Sequence, residues 1–153
     1  MKNFRKTANK QLGEILLERG VISRVQLEAA LKEQKELGLL FGEALVSLKY
    51  ATEEDIVQAL TCQYGFPFLP LSNYEISREV VAIVPVDVCK KYCLIPIDRI
   101  GRSLTLAMAN PLNVQAFEDV ERVTSCAVQA FVSTASEIKN GIKRYYESGD
   151  ASR

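Results

Sequence analysis

Few side chains in this 153-residue chain could do chemistry, and what is missing decides as much as what is present. There is no histidine, so the commonest general base and metal ligand is absent, and neither a Ser-His nor a Cys-His couple can be assembled. Cys89 and Cys93 lie four positions apart, a spacing that could set two thiolates on one face of a helix. With no imidazole to complete a mixed zinc site, they read, like Cys62 and Cys126, as small apolar residues of a core. The run Glu53-Glu54-Asp55 falls where a helix begins, and attraction to the helix dipole accounts for it without a catalytic role. Gly38 and Gly42 form the nearest glycine cluster, but no Lys-Ser or Lys-Thr follows, so there is no phosphate-binding loop and no dinucleotide fingerprint. These residues predict a protein that is not an enzyme and that requires no metal and no cofactor.

Two glutamines remain as polar candidates. Gln34 and Gln63 each sit seven residues beyond an apolar helix position, Leu27 and Ile56, and so share the apolar face of their helices. A buried amide without a partner costs about 1–3 kcal/mol, so each side chain must fasten its helix to a neighbouring backbone group or contact a ligand.

The glutamines end two copies of one unit. Residues 40–63 laid over residues 11–34 share six identical positions of twenty-four: Gly13/Gly42, Glu14/Glu43, Leu16/Leu45, Ala30/Ala59, Leu31/Leu60 and Gln34/Gln63. Unrelated segments share on the order of one or two. Leu12/Phe41, Leu17/Val46, Ser23/Thr52 and Leu27/Ile56 are conservative pairs, and a period of this length suits a helix–turn–helix unit. In the first copy Leu12, Ile15 and Leu16 make a helical stripe, Gly20 stops it, and Ser23 opens a Ser-x-x-Gln capping box for a helix over about 24–36. In the second, Phe41, Ala44, Leu45 and Leu48 mark the first helix, Thr52 caps the next, and Gly65 with Pro67 ends it. Lys49 stands where the first copy has Gly20.

Beyond residue 65 the pattern changes. Phe66–Tyr74 carries two prolines and predicts an extended crossing, followed by a short helix capped by Ser77 and a turn over Asp87–Lys91. Leu94–Ile100 and Ser103–Ala109 flank Gly101-Arg102 as a hairpin, with Leu104, Leu106 and Met108 alternating on one buried face. A helix over about Val114–Arg122 leads to a strand at Cys126–Val132, a connection that implies a parallel pair. Thr134 and Glu137 cap a last helix ending in Tyr145-Tyr146.

The predicted fold is α+β: an N-terminal four-helix lobe made of two helix–turn–helix repeats, then a small α/β lobe with a three-stranded mixed sheet and flanking helices. Its expected divisions are a flexible basic tail over 1–10 (Lys2, Arg5, Lys6, Lys10), the tandem repeat over 11–65, an extended linker over 66–76, the α/β lobe over 77–147, and a disordered tail over 148–153. Nineteen basic and nineteen acidic residues cancel, so no overall field draws the chain to DNA, RNA or anionic lipid. The early apolar stretch is broken by Glu14, Glu18 and Arg19, which reads as no signal peptide and a reducing cytoplasm.

The doubled unit, Leu-Gly near its start, aliphatics three and four positions later, a Gly, then Leu-x-x-Ala-Leu-x-x-Gln, resembles the N-terminal domain of type II secretion and type IV pilus assembly ATPases. It looks like the subfamily that binds cyclic di-GMP through both repeats. Leu94-Ile-Pro-Ile-Asp and Leu104-Thr-Leu-Ala-Met-Ala-Asn-Pro-Leu-Asn113 extend the resemblance over about residues 11–147. It implies a regulatory or docking domain that sits with an attached or associated motor ATPase and binds the cytoplasmic domain of an inner-membrane secretion or pilus protein. Such a domain is cytoplasmic, at the inner face of the inner membrane, and touches the membrane through its partners only. A second reading is a cyclic di-GMP sensor with Leu12, Gly13, Leu16, Leu31, Gln34, Phe41, Gly42, Leu45, Leu60 and Gln63 as ligand contacts. The opening positions, where the resemblance implies an arginine stacked on guanine, are Gln11 and Leu40 here. A third reading is a stand-alone interaction protein.

Overall fold

The repeat in the sequence is a repeat of backbone. In the computed structural model, which describes the backbone of residues 4–147 and the side chains of residues 11–147, α1 (Phe4–Glu18) and α2 (Arg24–Leu37) form the first unit. The second consists of α3 (Phe41–Ser47) and α4 (Glu53–Tyr64). The turns between paired helices match bond for bond. The Arg19, Gly20 and Val21 amides donate to the Ile15, Leu17 and Leu16 carbonyls at 2.9, 3.0 and 2.9 Å. Leu48, Lys49 and Tyr50 donate to Ala44, Val46 and Leu45, each at 3.0 Å. The geometry requires a left-handed residue at the turn, and Gly20 (φ +75°) and Lys49 (φ +64°) both adopt it, the lysine without a glycine's freedom. Ser23 and Thr52 both cap, with reciprocal boxes to Gln26 and Asp55.

The start of α1 differs from the expected division. It begins at Phe4, because nothing between residues 4 and 12 breaks a helix and Arg, Lys and Ala there favour one, so residue 10 is not a structural boundary. The remaining ends of both expected tails, 1–3 and 148–153, and the side chains of Lys2, Arg5, Lys6 and Lys10 lie outside the described residues.

After α4 the chain crosses at Pro67–Leu69, where it pairs with the end of a strand: the Val132 amide donates to the Pro67 carbonyl at 2.8 Å and the Leu69 amide to the Val132 carbonyl at 2.9 Å. A 3-10 turn at Leu71–Asn73 interrupts the extended run. Two short helices follow, α5 (Arg78–Val81), capped by Ser77, and α6 (Val86–Tyr92), where the predicted turn is a full helix. Then come β1 (Leu94–Ile100), β2 (Ser103–Met108), α7 (Val114–Thr124), β3 (Ala127–Val132) and α8 (Ala135–Ile142), with a π turn at Lys143–Glu147. The sheet order is β1-β2-β3, with β1 antiparallel and β3 parallel to β2, the mixed sheet the pattern predicts.

Two apolar cores result. One gathers Leu12, Leu16, Phe41, Leu45, Ile56 and Leu60 between the repeats. The other packs β1 and β2 (Leu94, Ile95, Leu104, Leu106, Met108) against α5, α6 and α8. They interlock: Val132 of β3 belongs to the helical core, and Leu40 of the repeat packs on the sheet core. Contacts of α1 with α7 and of α4 with β3 complete the joint between lobes.

Candidate functional site

Between the helical repeats and the α/β lobe lies a cleft of about 350 Å³. Apolar walls come from the repeat (Leu12, Leu40, Phe41, Val46, Ile56) and from Ala109 and Ala135 opposite. Polar groups from both lobes converge at its rim: Gln34, Glu43 and Glu53 on one side, Asn110, Asn113, Ser136 and Lys139 on the other. An apolar concavity edged by a few polar groups is the general form of a ligand or peptide site.

Each polar group is placed by a local rule. Glu43 is the third residue of α3 and reaches back to its start, accepting from the Leu40 amide at 3.0 Å. Its second oxygen pairs with Lys139 of α8. Glu53 opens α4, where the helix dipole favours a carboxylate, and its Oε2 accepts from the Ser136 amide at 2.9 Å and the Ser136 hydroxyl at 2.7 Å. Asn113 caps α7 through a 3.3 Å bond from the Ala116 amide, and Asn110 accepts from the Leu112 amide at 3.1 Å. At the floor, the Tyr92 hydroxyl donates to Asp119 Oδ2, while Gln115 Nε2 donates to Oδ1 at 2.9 Å and Arg122 stands 3.4 Å away. Burial alone would raise the Asp119 pKa, but the bonds from Tyr92 and Gln115 and the charges of Arg122 and Lys91 hold it below the ordinary carboxylate value.

The ten residues expected to contact a ligand do not form one surface. Leu12, Gln34, Phe41 and Gly42 line the cleft. Leu16, Leu45 and Leu60 are wholly inaccessible in the helical core. Gly13 is also buried, where a Cβ would lie 2.6 Å from Leu27 Cδ1. Leu31 and Gln63 are exposed and are not part of the cleft wall. Gln11 is exposed as well, and Leu40, its counterpart, is half-buried in the cleft wall. The rim residues Glu53, Asn110, Ser136 and Lys139 carried no ligand signal in the sequence. Glu43 stood out in the sequence as half of the identical Glu14/Glu43 pair, which marks the repeat and not a ligand.

The cysteines are free thiols. Burial pushes the Cys89 pKa up to about 11 and the Cys93 pKa to about 12, the latter aided by the negative charges of Glu53 and Cys89. Among the described residues no group of His, Cys, Asp and Glu could hold a metal, and no helix is long and apolar enough to cross a membrane.

A family model for the MshEN domain matches residues 64–152, which take in the linker and the whole α/β lobe. The chain belongs to the MshEN domain family. Individual relatives extend the match across the helical repeat. The type IV pilus assembly ATPase PilB of Myxococcus xanthus is 33% identical over 136 residues, 89% of this chain and 24% of that protein. Bacteriophage adsorption protein B of Escherichia coli K12 is 25% identical over 90% of this chain and 18% of its own length. This MshEN domain thus spans about a quarter or less of the curated relatives it matches. Among solved structures, MshE with cdg (cyclic di-GMP) is 29% identical with a TM-score of 0.66, over 88% of this chain and 98% of that one. The N-terminal domain of XpsE superposes with a TM-score of 0.73 over 91% of this chain and 96% of that one, and at 23% identity it establishes the shared fold. The relatives it matches thus include a type IV pilus assembly ATPase and a bacteriophage adsorption protein as well as the N-terminal domain of XpsE.

Proposed function

We propose that this chain is a non-catalytic docking and regulatory domain of a type IV pilus or type II secretion ATPase, and that it binds the cytoplasmic part of an inner-membrane platform protein. The observation that carries the reading is the span of the similarity: nine-tenths of the chain aligns with a quarter of PilB at 33% identity, as a detachable module of a longer motor would. The chain has no histidine, and the Cys89 and Cys93 thiols, their pKa values pushed up to about 11 and about 12 by burial, are not ready nucleophiles at neutral pH. The test is calorimetric titration of the domain with the soluble cytoplasmic domain of the platform protein from the same assembly. A saturable heat with a Kd of about 10 μM or tighter is expected, and no heat at ~100 μM overturns the proposal.

A second reading, a cyclic di-GMP sensor, is favoured by two observations: the 29% identity to MshE, whose structure was solved with cdg, and the placement of Gln34 on the cleft wall. Gln11 and Leu40 weigh against high affinity, because neither offers a cation for a phosphate or a guanidinium to stack on a base. Titration with cyclic di-GMP separates the two readings, and absence of heat at ~100 μM ligand removes the second.

A further inference from the structure

The two repeats share a backbone but not a role at the cleft. In the first copy the positions matching Glu43 and Glu53 are Glu14 and Arg24, both turned to solvent. In the second copy both positions are carboxylates, and both grip the first turns of α8, one through Lys139 and the other through the Ser136 amide and hydroxyl. All four residues line the cleft. Elsewhere the lobes meet through apolar packing, with Val132 inside the helical core, Leu40 against the sheet core and α1 against α7. The linker at Pro67–Leu69 is hydrogen-bonded to the end of β3 and to Ser133, whose hydroxyl donates to the Leu69 carbonyl at 2.7 Å, and Leu69 packs on the sheet core.

We propose that Glu43–Lys139 and Glu53–Ser136 form a polar latch that holds the second repeat closed on α8 and sets the width of the cleft. Of the contacts that join the lobes, these polar ones part at least cost, since water and salt replace them. Closed, the latch neutralises Lys139, the cation on the cleft wall, against Glu43. Opened, it frees Lys139 and the Ser136 amide together, so any occupant that widens the cleft also changes the charge of its rim. The latch is independent of which molecule occupies the cleft.

Amide hydrogen exchange on the intact chain tests it, using Glu53→Ala and Lys139→Met. Lys139→Met keeps the Glu43 bond to the Leu40 amide, so α3 retains its cap. In Glu53→Ala the Ser136 amide loses its acceptor and is expected to exchange roughly tenfold faster, as for a lost hydrogen bond to a charged group. In both variants amides of residues 134–138 and of the linker should exchange faster, with β1, β2 and α2 unchanged. In the unmodified chain 0.5 M salt should reproduce part of the Lys139→Met effect. Unchanged exchange at residues 134–138 in both variants overturns the latch. A rise spread evenly over every helix and strand also overturns it, since that reports loss of global stability.

Discussion

Replacing each of the repeat-equivalent glycines Gly13 and Gly42 with alanine should have opposite effects, because the same backbone meets different neighbours. In a helix interior alanine is favoured over glycine by about 1 kcal/mol, a gain available to both. Gly42 is the second residue of a seven-residue helix, where the gain is smaller, roughly 0.5 kcal/mol. At Gly13 the added methyl would lie 2.6 Å from Leu27 Cδ1 and 3.5 Å from the Phe41 ring. Carbons rest at about 3.5–4.0 Å, so Leu27 must withdraw by about 1 Å inside a packed core, an overpacking cost of about 1–3 kcal/mol. At Gly42 the nearest atom, Ile56 Cδ1, is 3.3 Å away and yields by a few tenths of an ångström. Gly13→Ala should therefore be less stable than Gly42→Ala by about 1–2 kcal/mol, which for a domain of this size separates their melting midpoints by roughly 3–6 °C. Urea or thermal unfolding followed by far-UV circular dichroism measures the gap. In a Leu27→Ala background the penalty should disappear and Gly13→Ala become stabilising. Equal midpoints for the two single variants, or a Gly13→Ala penalty that persists without Leu27, would refute the reasoning.

Three further outcomes follow from the same geometry. Lys49 holds a left-handed backbone at φ +64°, so Lys49→Gly should raise stability by up to about 1 kcal/mol while Gly20→Ala lowers it by a similar amount, read as opposite shifts of the melting midpoint. Thiol titration with a disulfide reagent at pH 8 should modify exposed Cys62 quickly and leave Cys89 and Cys93 unreacted until the chain unfolds, since groups with pKa values of about 11 and 12 hold almost no thiolate there. Tyr92→Phe should cost about 1–3 kcal/mol at neutral pH by leaving a buried Asp119 oxygen without its donor. The Asp119 pKa is lower folded than unfolded, so its stabilisation is present above the ordinary carboxylate value of about 3.9 and is lost as pH falls through the folded value. The difference between wild type and Tyr92→Phe in urea melts should therefore narrow in acid.

The helical lobe was legible because its signals are local. Ser23 and Thr52 announce helix starts through side chains that reach three residues, and Gly20 and Gly65 announce stops through a backbone angle. The hairpin at Gly101 and the parallel β3 followed from strand length, turn chemistry and the intervening helix. The cleft was not legible. Lys139 meets Glu43, and Ser136 meets Glu53 across 83 residues of sequence, and no local pattern encodes such a meeting.

The glutamines show how far an internal repeat can be trusted. Equal sequence in two copies dictates equal backbone, because helix caps and left-handed turns depend on residues within a few positions. It does not dictate equal surroundings, because each copy of a stacked pair has different neighbours. α4 packs against α1, α3 and β3, whereas α2 packs against α1 and α3. Leu60 is accordingly sealed, while its counterpart Leu31 is 39% exposed. The same asymmetry sets Gln34 on the cleft wall and leaves Gln63 in solvent. If a cyclic dinucleotide or a partner peptide occupies the cleft, Gln34→Ala should weaken its binding by about 5- to 100-fold, the range for one lost buried hydrogen bond, and Gln63→Ala should leave it unchanged. Equal losses in both variants, measured by titration calorimetry, would mean that the bound ligand contacts the copies symmetrically and that the cleft is not where it sits.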